Sequence, residues 1–158
     1  MDAIQDLLER DAITRRIHAY ARALDEKAWD RLDACFHPEA RVDYRCAGGP
    51  AGAYFDDVRA WLVEVLEPIA VMQHFVTNIE IELDGDHATA IVYGVNVNRM
   101  DAEDETTVLT CGGIYRDRLA RRDGAWRFLE RTEERTFAVG DMPELPDVGG
   151  DPSARGAT

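Results

Sequence analysis

Asp25 and His74 are the two residues of this chain whose types and settings suit proton chemistry. Asp25 closes the segment Tyr20-Ala21-Arg22-Ala23-Leu24-Asp25, and His74 stands in Met72-Gln73-His74-Phe75, at the entry to an alternating stretch. A carboxylate beside an imidazole in an apolar pocket is a general base with an orienting partner. The chemistry it offers is abstraction of a proton from a small organic molecule, provided the fold brings both side chains into one pocket. Other constellations are weaker. His18, His37 and His87 lack partners at metal-ligand spacing, so neither a metal nor a cofactor is expected. His37 precedes Pro38 and reads as a turn residue. Cys111 precedes Gly112-Gly113, which marks a bulge or a close-packing point in a strand rather than a nucleophile or a phosphate loop.

The elements that must position the pair are legible in the apolar pattern. Residues 2–24 read as a helix, because Ile4, Leu7, Leu8, Ile13, Ile17, Tyr20, Ala21 and Leu24 recur mostly at three- and four-residue steps. A short helix is expected at 28–36 with Trp29, Leu32 and Phe36 inward. His37-Pro38 ends it, since the residue before proline avoids helical angles. Residues 41–45 alternate as a strand, with Val42 and Tyr44 on one face. A loop at 48–52 leads into a third helix at 55–66.

The rest is strand-rich. Phe75, Thr77, Ile79, Ile81 and Leu83 alternate with Val76, Asn78, Glu80 and Glu82, and Asp84-Gly85-Asp86 is a tight turn. Strands are expected at 88–99, 106–120 and 126–137, separated by an acidic loop at 100–105 and a turn at Arg122-Asp123-Gly124. Residues 1–138 read as one domain, and 139–158 as an irregular tail rich in proline and glycine. Helices followed by a meander of long strands imply an α+β design, with three helices packed on one face of a strongly curved, mostly antiparallel sheet. Such a sheet, closed by helices, forms a cone-shaped α+β barrel with a pocket at its mouth.

Composition narrows the partners. The 158 residues suffice for one domain with a core, and 46% are hydrophobic. A net charge of −13, from 31 acids against 18 bases, argues against a nucleic-acid partner. No apolar run approaches the roughly 18 residues of a membrane span, and no signal peptide is evident at the N-terminus. Three widely spaced cysteines read as free thiols in a reducing cytoplasm. The open side of the sheet, with exposed Val, Ile and Tyr on 88–97, is expected to pack on further copies as a homodimer or homotrimer.

Several segments together resemble the NTF2-like superfamily, specifically its SnoaL-like branch. They are Ala23-Leu24-Asp25-Glu26-Lys27-Ala28-Trp29-Asp30-Arg31-Leu32, Arg41-Val42-Asp43-Tyr44-Arg45, Gln73-His74-Phe75 and Arg122-Asp123-Gly124-Ala125-Trp126-Arg127-Phe128. Scytalone dehydratase, bile acid 7α-dehydratase and hexachlorocyclohexane dehydrochlorinase belong to that neighbourhood. The resemblance implies that Asp25 and His74 form an Asp–His dyad. It implies that Tyr44 hydrogen-bonds a substrate oxygen and that Tyr20 occupies a catalytic position. It places Arg135 near an arginine of the bile acid enzyme, and Asn98 (or Asn96) where scytalone dehydratase has a second histidine. Leu24 replaces that enzyme's tyrosine, so scytalone itself is not the expected substrate.

The implied activity is a cofactor-free lyase, a dehydratase acting on a small apolar, cyclic or polyketide-like hydroxy-carbonyl compound. A SnoaL-like cyclase, a ketosteroid-isomerase-like isomerase and a non-catalytic small-molecule-binding module are the alternatives, because fold alone does not separate them. In the lyase scheme His74 takes the α-proton, Asp25 fixes its tautomer, Tyr44 donates to the enolate oxygen and Tyr20 protonates the departing hydroxide. Phe55, Trp61, Val76, Val92 and Leu109 are expected to line the pocket. The plainer readings are an Asp25 that merely ends its helix in water, tyrosines that only bury their rings, and an Arg135 that is a surface cation among Arg131, Glu133 and Glu134.

Overall fold

The computed structural model describes residues 2–101 and 106–140. Most of the acidic loop and nearly all of the expected tail lie outside the described residues. Helix α1 spans Ala3–Asp25 and opens on Asp2, whose carboxylate accepts from the Gln5 N–H at 2.8 Å. Ile13, Ile17, Tyr20 and Leu24 form its buried stripe. Ile4, Leu7 and Leu8 continue that stripe in sequence but are exposed. The helix is instead held there by Glu9, which accepts from Trp126 Nε1 at 2.7 Å, and by Arg10, which donates to the Ile81 carbonyl.

Helix α2 is shorter than expected, Trp29–Asp33, and strand β1 (Phe36–Asp43) begins where the helix was to continue. His37 and Pro38 are therefore inside a strand, not a turn. His37 is buried, with Nε2 3.1 Å from the Ala120 carbonyl oxygen. The proline is tolerated because the pairing of β1 is irregular between Phe36 and Arg41, where a missing N–H breaks no ladder bond. Strand β2 (Ala53–Tyr54) precedes helix α3 (Phe55–Leu66). Four long strands follow: β3 (Val71–Asp84), β4 (His87–Asp101), β5 (Thr106–Arg122) and β6 (Ala125–Val139).

The six strands form one mixed sheet in the order β2-β1-β6-β5-β4-β3. Among the described residues, only the β1–β6 pair is parallel. The sheet is curved and unclosed, and the helices cover its concave face, as the α+β expectation required. The core joins Ile13, Ile17 and Leu32 to Val42, Val58, Val92, Leu119 and Phe128.

Three bulges set which side chains reach the concave face. On β3, Thr77 pairs with Tyr93 but Glu80 pairs with Ile91, so one extra residue is inserted. Asn78 absorbs it at φ +48°, a left-handed conformation that Asn tolerates. The insertion reverses the parity of the strand. Ile79, Ile81 and Leu83 face the core after it, while His74 and Val76 face inward before it. Phe75 does not share the face of Ile79, contrary to strict alternation, and is exposed. On β6, Leu129 is inserted between Phe128 and Glu130, and Thr136 between Arg135 and Phe137. Trp126 and Phe128 are thus inward first, and then Arg131, Glu133 and Arg135. The second of these bulges lies opposite Gly112-Gly113, as expected of that pair.

Candidate active site

The end of α1 and the start of β3 bring Asp25 and His74 together. The His74 backbone N–H lies 3.0 and 3.1 Å from the two Asp25 oxygens, and Nδ1 lies 2.6 Å from Oδ1. A carboxylate can only accept, so in the neutral imidazole Nδ1 carries the hydrogen and Nε2 holds a lone pair. Asp25 sits at the C-terminal end of its helix, where the macrodipole disfavours an anion. Two N–H donors from β3 compensate for that placement, so Asp25 does not end its helix in water. The His74 side chain is 7% exposed and that of Asp25 24%.

His74 lines a cavity of about 120 Å³, with Asp25 behind it. Trp61, Leu62, Val65, Leu66 and Ile69 supply an apolar wall from α3 and the turn after it. The polar wall comes from α1 and the sheet: Tyr20, Tyr44, Asn96, Asn98, Tyr115, Glu133 and Arg135. A ligand apolar on one side and oxygenated on the other matches that division. Asn96 pairs across the sheet with His74 and with Cys111, and Asn98 pairs with Leu109, so two adjacent rows on the inward face carry all these groups.

Tyr20 and Tyr44 are fully buried, and their hydroxyls share a short hydrogen bond. Burial pushes the Tyr20 phenol up to about 12, against the opposing field of Arg131. Burial likewise raises Tyr44 and Tyr115 well above the ordinary phenol range. All three therefore hold their protons at neutral pH and act as donors.

Arg131 lies beneath them. Its guanidinium donates twice to Asp117, at 2.7 Å each, and neither side chain is exposed. It also stacks 3.9 Å from the Tyr20 ring centroid, 4.5 Å from Tyr115 and 4.1 Å from Phe128. Burial disfavours its charge, but the Asp117 carboxylate outweighs that and keeps Arg131 protonated. Its Nη1 is buried without a partner among the described residues.

Of the residues expected at the site, His74, Tyr20, Tyr44, Asn98, Arg135, Trp61 and Leu109 line the cavity. Phe55, Val76 and Val92 do not. Phe55 turns into the core and stacks on Phe36 at 4.0 Å. Val92 is fully buried on β4, and Val76 packs against the same core. On β3 and β4 the cavity takes the positions of His74 and Asn96, while Val76 and Val92 lie further along those strands toward the turn after Asp84. Sequence reasoning missed Glu133 and Tyr115 and treated Arg131 as a surface companion. The alternation of Arg131, Glu133 and Arg135 was a usable signal, but the Leu129 bulge hides its face.

The fold and pocket define an α+β cone of the NTF2-like type, SnoaL-like branch. The chain belongs to the SnoaL-like domain family, whose model matches residues 5–132. The uncharacterized protein Rv2910c of Mycobacterium tuberculosis is 34% identical over 137 residues, covering 87% of this chain and 92% of its own. A candidate scytalone dehydratase from Novosphingobium aromaticivorans superposes with a TM-score of 0.77 at 22% identity, covering 99% of this chain and 100% of its own. The hexachlorocyclohexane dehydrochlorinase LinA-type3 from Novosphingobium barchaimii gives 0.76 at 16% identity, covering 88% of this chain and 94% of its own. At these identities the structural likenesses establish the fold. Among the described residues, no helix is long and apolar enough to cross a membrane.

Proposed function

We propose that this protein is a lyase that eliminates water from a small cyclic hydroxy-carbonyl compound without a cofactor, using Asp25 and His74 as an Asp–His dyad. The supporting observation is the 2.6 Å contact that fixes Nδ1 on Asp25 and leaves Nε2 for the cavity. His74 takes the proton α to the carbonyl through Nε2. Asp25 holds the tautomer and stabilises the imidazolium that forms. The buried phenol pair donates to the oxygen on which enolate charge develops, in a water-poor site where such a bond is strongest. Asn98 and Arg135 orient the polar edge of the substrate, while Trp61 and Leu109 hold its ring.

A second reading is an isomerase or cyclase that stops at the enolate and returns the proton elsewhere. The phenol pair favours it, since an isomerase needs one base and one oxyanion donor and no leaving-group acid. The test is an absorbance screen of cyclic β-hydroxyketones, beginning with 3-hydroxycyclohexanone, for the new ultraviolet band of a conjugated enone. Asp25→Asn and His74→Ala should each lower turnover by about 10²–10⁴-fold. Full turnover in both variants would make the dyad structural. Tight binding of a ring compound with no turnover by the wild type would make the protein a binding module.

A further inference from the structure

Tyr20 and Tyr44 have two hydroxyl hydrogens between them, and one is consumed in their mutual bond. The pair can therefore give a substrate one hydrogen bond. Dehydration needs two donors: one for the carbonyl oxygen and one for the departing hydroxide, which leaves as water only if protonated. Asn96, Asn98 and the guanidinium of Arg135 donate hydrogen bonds without surrendering a proton, and burial raises the Tyr115 phenol well above its ordinary range, so it can hydrogen-bond but is a poor acid. Burial raises the Cys111 thiol, making it a poorer acid. Among the described residues that line the cavity, Glu133 is the one carboxylic acid.

The placement of Glu133 is specific. It follows the Leu129 bulge and pairs across the sheet with Tyr115. The carboxyl lies over Gly113: a Cβ there would be 3.4 Å from Glu133 Oε1, an ordinary contact, and 3.1 Å from the Glu134 carbonyl oxygen, the tighter of the two. Its neighbours Glu130 and Glu134 form ion pairs with Arg118 and Arg116 and are exposed, whereas Glu133 forms none among the described residues. Resting on the elimination reading, we propose that Glu133 is the general acid of this site.

The step balances. His74 Nε2 takes the α-proton and the C–H electrons become the new double bond. The carbon–oxygen bond breaks with its pair on oxygen, and that oxygen takes the Glu133 proton and departs as water. One proton then returns from His74 to Glu133 through water. Burial holds the Glu133 carboxyl above the ordinary carboxylate range, against the opposing charges of Arg135 and Arg131, with the His74 ring also beside it. Tyr20, Tyr115, Cys46 and Cys111 are its other titratable neighbours.

The test has two arms on the full chain. In the first, ¹³C-carboxyl NMR follows the Glu133 resonance, assigned by its loss in Glu133→Gln. The expected midpoint lies above the ordinary glutamate value of about 4.3. A midpoint at or below that value overturns the assignment, and no substrate is needed to see it. In the second, 3-hydroxycyclohexanone or the β-hydroxyketone turned over best is assayed across pH. Glu133→Gln should lose about 10²–10⁴-fold in kcat/KM. Its alkaline fall in rate should also vanish, since the proton that limits the wild type there is gone. Glu133→Asp should keep the shape of the wild-type profile. Full activity in Glu133→Gln with a dead His74→Ala overturns the acid and leaves the dyad standing. Full activity in both variants overturns the elimination reading and this inference with it.

Discussion

Replacing Asp117 with Asn keeps the side-chain shape and removes the charge that balances Arg131. The two N–O contacts of 2.7 Å put the charge centres about 4 Å apart, worth about 4 kcal/mol at an effective dielectric of ~20. The guanidinium left behind is wholly buried and sandwiched by aromatic rings, so it has no route to water. Breaking such a pair costs about 3–5 kcal/mol. That is a large share of the ~5–15 kcal/mol that holds a domain folded. At about 2–4 °C per kcal/mol for a chain near this size, Tm should fall by about 6–20 °C.

Urea unfolding, followed by Trp fluorescence, measures the loss directly. Two comparisons sharpen it. The double variant Asp117→Leu/Arg131→Met removes both charges and should be more stable than Asp117→Asn alone. Glu130→Gln cuts the exposed pair with Arg118 and should cost no more than about 1 kcal/mol. An Asp117→Asn protein within ~1 kcal/mol of wild type, or a double variant no better than the single, would refute the claim that Arg131 is a buried, charge-balanced base to the tyrosine pair.

Two further outcomes test the frame of the site. Asn78→Val forces a β-branched residue into the left-handed conformation of the β3 bulge and should cost about 1–2 kcal/mol by urea unfolding, whereas Asn78→Gly should be tolerated. Equal stability of the two variants would mean the bulge is not held at Asn78. The convex sheet face exposes Phe75, Tyr93, Val108 and Phe137, and we infer a homodimer or homotrimer built on it. Sedimentation should give that oligomer, and a Tyr93→Glu variant should dissociate it; a monomeric wild type would count against this use of the face.

Much of the candidate site was legible through the resemblance to the SnoaL-like branch, which implies an Asp–His dyad at Asp25 and His74. Taken alone, an Asp in the last turn of a helix reads as a helix end and a His in a strand as a satisfied strand residue. Tyr44 was legible because it shares parity with Val42, and both are buried. The lining was less so. Phe55, Val76 and Val92 are as apolar as Trp61 and Leu109, and nothing in their types tells core from cavity wall. That distinction depends on where the fold opens the cavity along the strands and α3, which is set by elements far apart in sequence.

The amino-acid order alone determined the three helices, the four long strands and their turns, because apolar spacing, proline and glycine act within a few residues. It also marked the carboxylate and the imidazole. Tertiary structure alone decided which faces of β3 and β6 look inward. Strand parity has a period of two, and one bulged residue reverses it, so the bulges at Asn78 and Leu129 carry His74, Arg131, Glu133 and Arg135 to the concave side. A bulge is fixed by the partner strand's ladder, and the residues that pay no steric penalty for it carry no distinct mark in the local sequence. The burial of a complete Arg–Asp pair under the cavity floor belongs to the same class, since charge reads as surface until a second chain segment closes over it.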